Sequence, residues 1–251
     1  MPSPRTLLHP VAVLGLVLIN GAALAAPDAA TAPVPDSPAA VRELVGRIDG
    51  LHRLPLSGVQ LVHVGDRLLF VADNGRYVFA GPAFDLWHGA RLETFDQAVN
   101  LAQRIDLARL KLDPAALGAL DLGTGPRDVV AFVDPLCPHC RALLAALPPL
   151  ADRYRFRLVP LPVLGKGSQD AVLRLNCLAE REPAAARRAL LEHRTDPLPK
   201  PEGACGQAAA QRALVAAQLL GVTAVPLLIA PDGRVAPGVP KDLARWLEAA
   251  P

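Results

Sequence analysis

The chain has 251 residues, 51% of them hydrophobic, and a formal net charge of +2. That is ample apolar material for one or two packed domains, and too even a charge to demand an anionic partner. Basic residues are dispersed and not interleaved with aromatics, so nothing points to nucleic acid. No Walker loop and no dinucleotide fingerprint occurs.

Residues 1–25 read as an export signal. Arg5 is a short positive start. Val11 to Ile19 is an apolar stretch too short to span a bilayer comfortably, and Ala23-Leu24-Ala25 fits cleavage before Ala26. The alternative is an uncleaved N-terminal anchor. No cysteine follows the apolar stretch, which argues against a lipoprotein. Residues 26–38, rich in Ala and Pro, read as a flexible start of the mature chain. Four cysteines in an exported chain favour disulfide chemistry over metal binding, and in a Gram-negative cell the destination is the periplasm.

Ala39 to Ile48 has the spacing of a short amphipathic helix. From Val59 the period changes to that of strands: Val59 to Val64, Arg67 to Val71, and Arg76 to Ala80, with Phe84 to Leu86 as a last short piece. Asn74-Gly75 predicts a type I′ hairpin turn, and Gly81-Pro82 breaks the third strand. This small antiparallel unit needs something to pack against. His52, His63 and His88 are too scattered for a metal site, so the unit holds no catalytic set, and self-association is its simplest purpose. Thr94 to Leu112 follows as one helical pattern, with Phe95, Ala98, Val99, Ala102, Ile105, Ala108 and Leu112 on its apolar face. Thr94 and Gln97 resemble a capping box. Either this helix packs into a domain or it links two.

After Gly123 to Pro126, the apolar run Val129 to Val133 reads as a buried strand, stopped by Asp134-Pro135. Cys137 then stands where a helix begins, with Pro138 at the first helical position and Arg141 to Leu147 as its body. Pro148-Pro149 ends or kinks it. Arg155 to Leu161 is the next strand. Helical stretches follow over Asp170 to Glu180, with Cys177, and over Pro183 to His193. A polar loop carries Cys205, and a long helix covers Gln207 to Leu220. Val225 to Ala230 is an apolar strand, Pro231 to Gly233 a turn, Arg234-Val235 a short return, and Asp242 to Ala249 a closing helix.

Cys137-Pro138-His139-Cys140 carries the chemistry. A thiolate is the reactive form of cysteine, and a helix N-terminus favours negative charge. Cys137 is the expected nucleophile. Cys140, about one turn further in, can attack its sulfur, as forming and resolving a mixed disulfide requires. His139 adds a donor or a positive charge beside the thiolate. Half of a zinc site is the weaker reading, because Cys177 and Cys205 form no second Cys-x-x-Cys. Haem attachment would need His directly after Cys140, where Arg141 stands. An inert disulfide remains possible, though a tight Cys-x-x-Cys at a strand-to-helix turn is a poor staple and a good redox centre.

The order of elements is that of a thioredoxin-like domain with a helical insertion. In that fold Pro226, at the head of a buried strand, is where a cis-proline stands beside the redox pair and keeps the backbone of Val225 open to a client strand. An ordinary trans-proline is the alternative.

Residues Phe132 to Cys140, Gly221 to Pro226 and the turn Asp232-Gly233 resemble the DsbC/DsbG group of periplasmic thiol–disulfide isomerases. Leu54 to Val59, Asp73 to Tyr77, Gly81-Pro82 and Asp85-Leu86 are similar, in that order, to the group's dimerisation domain. The resemblance implies four parts: signal 1–25, an α+β dimerisation domain with a small antiparallel sheet over 26–93, a linker helix over 94–122, and an α/β thioredoxin-like catalytic domain over 123–251. It implies a V-shaped homodimer around an uncharged cleft, and a second, structural disulfide between Cys177 and Cys205. Such a disulfide is worth about 3 to 4 kcal/mol in the chain-entropy model. It also implies misfolded or wrongly bridged exported proteins as clients, no bound cofactor, and a membrane reductase of the DsbD kind as electron source.

Two features depart from the group. Pro138-His139 and Val225 are associated with DsbA-type oxidases; the isomerase usually carries threonine before the proline. Stabilising the thiolate makes the disulfide more oxidising. The buried acid of thioredoxin would fall at Ala131 and is absent. Isomerase or reductase activity is therefore the leading expectation. Oxidase activity is the alternative, and a chaperone or assembly factor of a secretion or conjugation apparatus is the non-enzymatic one.

Overall fold

The computed structural model describes residues 37–53 and 58–249. The expected signal, nearly all of the flexible stretch after it, and Leu54 to Ser57 of the dimerisation motif lie outside the described residues.

The first helix, α1 (Pro38–Val45), starts at Ser37, whose hydroxyl accepts the Ala40 N–H at 3.3 Å. Four strands, β1 (Gly50–Arg53), β2 (Val59–Val64), β3 (Arg67–Ala72) and β4 (Val78–Ala80), form an antiparallel sheet in chain order. Val62, Val64 and Leu69 are its buried core, with Leu44, Val71, Val78 and Ala80 packed against them. β1 escapes sequence reading because Gly50-Leu51-His52-Arg53 has no apolar alternation; pairing with β2 makes it a strand. The β3–β4 turn is not the expected type I′. The Gly75 N–H donates to the Ala72 carbonyl at 2.7 Å, so Asp73 and Asn74 are the central residues. Only Gly75 takes a positive φ, 69°, whereas type I′ needs one at both central positions. A short hairpin, β5 (Ala83–Asp85) with β6 (Ala90–Leu92), follows.

The expected single helix over Thr94 to Leu112 is cut short. α2 covers Phe95–Ala102 only, capped by Thr94, whose hydroxyl accepts the Gln97 N–H at 3.2 Å. Beyond it the backbone pairs with a distant turn instead of with itself. The Ile105 N–H donates to the Gly233 carbonyl (2.8 Å), and the Val235 N–H to the Gln103 carbonyl (3.0 Å). Residues 106–112 close into turns, and Pro114–Leu117 forms one 3-10 turn. Ile105, Leu107, Leu110 and Leu112 therefore do not line a helix face; they pack on the larger sheet. The stretch read as linker also supplies a strand of that sheet, β7 (Leu120–Leu122).

The remaining elements are β8 (Arg127–Val133), α3 (Pro138–Ala146), β9 (Tyr154–Pro160), α4 (Lys166–Ala179), α5 (Pro183–Leu191), α6 (Gln207–Leu219), β10 (Leu227–Ile229), β11 (Val235–Pro237) and α7 (Leu243–Glu248). The sheet order is β11-β10-β8-β9-β7, with β8 and β9 parallel and the other pairs antiparallel. β8 alternates between two apolar layers. Val129, Ala131 and Val133 face α3, α5 and α7; Val130 and Phe132 face α6. A strand covered on both sides has to be apolar throughout, which is why it is legible in sequence. Gly125, just before it, is required by close approach: a Cβ there would lie 2.2 Å from the Arg153 carbonyl carbon. A strand, a Cys-x-x-Cys helix, a parallel strand, a helical insertion, a β-hairpin and a last helix make a thioredoxin-like domain. Among the described residues no helix is long and apolar enough to cross a membrane.

Phe132 is fully buried against the α6 layer. Phe132→Ala should cost about 3 to 5 kcal/mol in unfolding free energy, read from urea midpoints.

Candidate dithiol site

Strand register builds the site. β10 runs antiparallel to β8 with Leu227 opposite Phe132. Carried two residues back, that register sets Pro226 beside Val133 and Val225 beside Asp134. The end of β8 and the start of β10 therefore meet at one edge of the sheet, where α3 begins.

Cys137 is the residue that caps α3, with extended backbone (φ −78°, ψ 123°), and Pro138 is the first helical residue. Its N–H donates to the Asp134 carbonyl at 3.1 Å, and its carbonyl accepts the Arg141 N–H at 3.0 Å. Its side chain thus stands at the end of α3 where unpaired N–H groups favour an anion. The Cys137 thiol donates to the Val225 carbonyl, with sulfur and oxygen 3.7 Å apart. The Val225–Pro226 bond is cis, and Pro226 is buried. Pro138 and His139 are exposed on the first turn of the helix.

Cys140 lies one turn further in. It is fully buried, whereas Cys137 keeps 6% of its surface. Both are free thiols. The Cys140 sulfur accepts the Asp134 N–H at 3.3 Å. Burial pushes the Cys140 thiol far above its ordinary range; the Cys137 sulfur pushes the same way, and the Asp134 N–H opposes. The pair is asymmetric: the inner sulfur is fully buried with its thiol pKa pushed far up, and the outer one belongs to the residue at the cap position of α3 and donates to the Val225 carbonyl.

Cys177 and Cys205 stand elsewhere. They are bonded to each other, with Cα atoms 4.9 Å apart, and join α4 to the loop before α6. Glu180 braces the same loop by accepting the Gly206 N–H at 2.9 Å. Among the described residues no three His, Cys, Asp or Glu side chains gather as a metal site.

Sequence reasoning missed Asp134, treating it as a strand stop. It is fully buried, and its carboxylate accepts four hydrogen bonds. An acid directly after an apolar strand, three residues before a cysteine, is a usable signal. Its donors are not legible, because those of Val163, Leu164 and Ser168 come from some thirty residues away. A groove of about 750 Å³ lies between residues 104–114 and 229–233, and none of the dithiol residues lines it.

No family model matches the chain, and no curated protein matches its sequence. Solved structures do. The compact form of Proteus mirabilis ScsC is 16% identical over 60% of this chain and 82% of its own, with a TM-score of 0.46. The thiol–disulfide exchange protein alpha-DsbA2 of Wolbachia pipientis is 16% identical over 61% and 95%, with a TM-score of 0.46. DsbG of Helicobacter pylori is 16% identical over 76% and 97%, with a TM-score of 0.38.

A raised thiol pKa has two readable consequences. Reduced protein treated with iodoacetamide at pH 7 to 8 should be alkylated at Cys137, with Cys140 slower than an unfolded cysteine by at least about tenfold, seen by peptide mass spectrometry. Above the ordinary thiol pKa the unfolded chain loses the Cys140 proton while the folded chain keeps it. Stability of the reduced protein should therefore fall as pH rises from about 9, and be fully present below it.

Proposed function

We propose that the chain is an exported thiol–disulfide oxidoreductase, acting as isomerase or reductase on wrongly bridged exported proteins through Cys137 and Cys140. The observation that carries the reading is the asymmetry of the two sulfurs, one at the helix N-terminus against the Val225 carbonyl, the other fully enclosed with its thiol pKa pushed far up.

The chemistry then runs as two exchanges. The Cys137 thiolate attacks one sulfur of a client disulfide. That S–S bond breaks, the Cys137–client bond forms, and the other client sulfur leaves as thiolate and takes a proton. In isomerisation, another client thiolate attacks the client sulfur of this mixed disulfide and releases Cys137, with no net electron transfer. In reduction, Cys140 gives up its proton and attacks Cys137; the client leaves with two electrons, and Cys137–Cys140 becomes a disulfide. A membrane reductase of the DsbD kind would return the dithiol, and no bound cofactor takes part. Val225 and Pro226 position the client chain, with Pro138 and His139 as the surroundings of the thiolate. Cys177–Cys205 is a structural bridge outside the reaction.

The domain reading follows from the same proposal: signal to residue 25, dimerisation domain to 93, a connection to 122 and catalytic domain to 251, in the periplasm. Tyr77, Phe79, Phe84 and Leu86 support pairing of two copies, each more than half exposed on the N-terminal strands or next to one. Large exposed apolar side chains in such number suit an interface better than open water. An oxidase is the second reading, favoured by Pro138-His139 and Val225.

Cys137→Ala should drop refolding of a scrambled disulfide protein to the uncatalysed rate, while Cys140→Ala should accumulate mixed disulfides. Full activity in the double variant would end the redox reading in favour of a chaperone. Acid-quenched thiol trapping in cells separates the other two: a mostly reduced pair fits an isomerase or reductase, a mostly oxidised one an oxidase. Sedimentation of the mature chain should give a dimer.

A further inference from the structure

Asp134 is placed to do more than end a strand. A buried carboxylate is costly unless its lone pairs are filled. Here each oxygen has two donors. One accepts the Leu136 N–H (2.8 Å) and the Ser168 hydroxyl (2.8 Å); the other accepts the Val163 N–H (2.8 Å) and the Leu164 N–H (3.0 Å). Three of these donors are backbone N–H groups, which can only donate, so they match the acceptor oxygens of a carboxylate. The donors belong to three places: the loop before Cys137, the loop after β9, and the first turn of α4. One side chain ties all three together.

The residues whose peptides it holds share a feature. Leu136, Val163 and Leu164 expose 44%, 39% and 54% of their surfaces. Leu136 directly precedes Cys137 in the chain. Gly165 and Gly167 follow the pair without side chains, and a Cβ on Gly167 would lie 3.4 Å from a Leu136 methyl. Charge-assisted hydrogen bonds to Asp134 fix the peptides that carry these exposed side chains.

We propose that Asp134 is a positioning residue that builds, from Leu136, Val163 and Leu164, an apolar docking lip for the client chain beside Cys137. The occupant is an extended polypeptide segment with apolar side chains flanking its cysteine. Two observations choose it. Leu136 directly precedes Cys137, whose sulfur a client disulfide has to reach, and the Val163 and Leu164 peptides share its carboxylate anchor; the side chains of Leu136, Val163 and Leu164 carry no charge with which to hold an acidic or basic segment. The inference rests on the exchange reaction proposed above.

The test compares three disulfides: a peptide dimer with Leu and Val around its cysteine, the same peptide with Ser in their place, and oxidised glutathione. Asp134→Asn has to turn its amide nitrogen toward one of the two pairs: toward Leu136 and Ser168 the serine hydroxyl can accept from it and the Leu136 bond is lost, and toward Val163 and Leu164 both bonds are lost. With Asp134→Asn, KM for the apolar peptide should rise about tenfold. Loss of the Asp134 charge beside Cys140 acts alike on all three disulfides, so the readout is the rise of KM for the apolar peptide over and above any change shared with the Ser peptide and glutathione. Val163→Ser with Leu164→Ser, both on the surface, should give the same split without touching the buried cluster. An equal loss on all three disulfides would overturn the lip, since that is what general loosening of the site would give. So would no loss on any, or apolar selectivity surviving the double serine variant. Binding of the apolar peptide to the Cys137→Ala chain, by calorimetry, separates this inference from the redox reading. If the wild-type chain exchanges with none of the three, the redox reading falls. The lip still stands if that binding exists and weakens with Asp134→Asn, and falls if there is none.

Discussion

The structure depends on one constraint: β8 is buried on both faces and paired on both edges. A strand so placed can present nothing reactive along its length, since Val129 to Val133 are all covered. Its chemistry has to begin where the sheet ends. Pairing with β9 on one side and β10 on the other brings three chain segments to that end: the loop through Asp134 to Cys137, the loop after β9, and the loop before β10. The dithiol site is what those three loops make together.

Placement at the end of the strand also separates the two sulfurs physically. Cys137 caps a helix at the rim, with the Val225 carbonyl as its neighbour. Cys140, one turn on, points into the layer of Leu143, Leu144 and the sheet, where charge is expensive. The three-residue spacing of the motif, on a helix that starts at its first cysteine, is enough to give two like groups unlike environments. Asp134 serves both: its carbonyl holds the Cys137 N–H and its N–H holds the Cys140 sulfur. Its carboxylate meanwhile anchors the neighbouring loops.

Elements whose burial pattern is local were legible. β8 is an apolar run, β9 alternates up to its apolar Leu158-Val159, α6 is long, and Pro138 marks the start of α3. Elements formed by pairing were not. β1 and β7 are too short to show a pattern of their own and are strands because β2 and β9 bond to them. The helical period from Thr94 to Leu112 was present but misread beyond Ala102. Its apolar residues do face a core, but the backbone of Gln103 and Ile105 bonds to the β10–β11 turn, and that long-range pairing outweighs local helix preference. Asn74-Gly75 marked a real turn but not its type, because Asp73 and Asn74, not Asn74 and Gly75, take the central positions.

The sequence by itself determined the Cys-x-x-Cys spacing, its place at a strand-to-helix junction and the order of elements from β8 onward. These depend on residues close in the chain: an apolar run, a proline at a helix start, a fixed spacing of two cysteines. Only the tertiary structure decided that Val225 lies against Cys137, that Cys177 meets Cys205, and that Asp134, besides ending a strand, is buried with both carboxyl oxygens hydrogen-bonded. Each joins residues some thirty to ninety positions apart. What brings such residues together is strand register and layer packing, and these are properties of the folded sheet, not of any stretch within it.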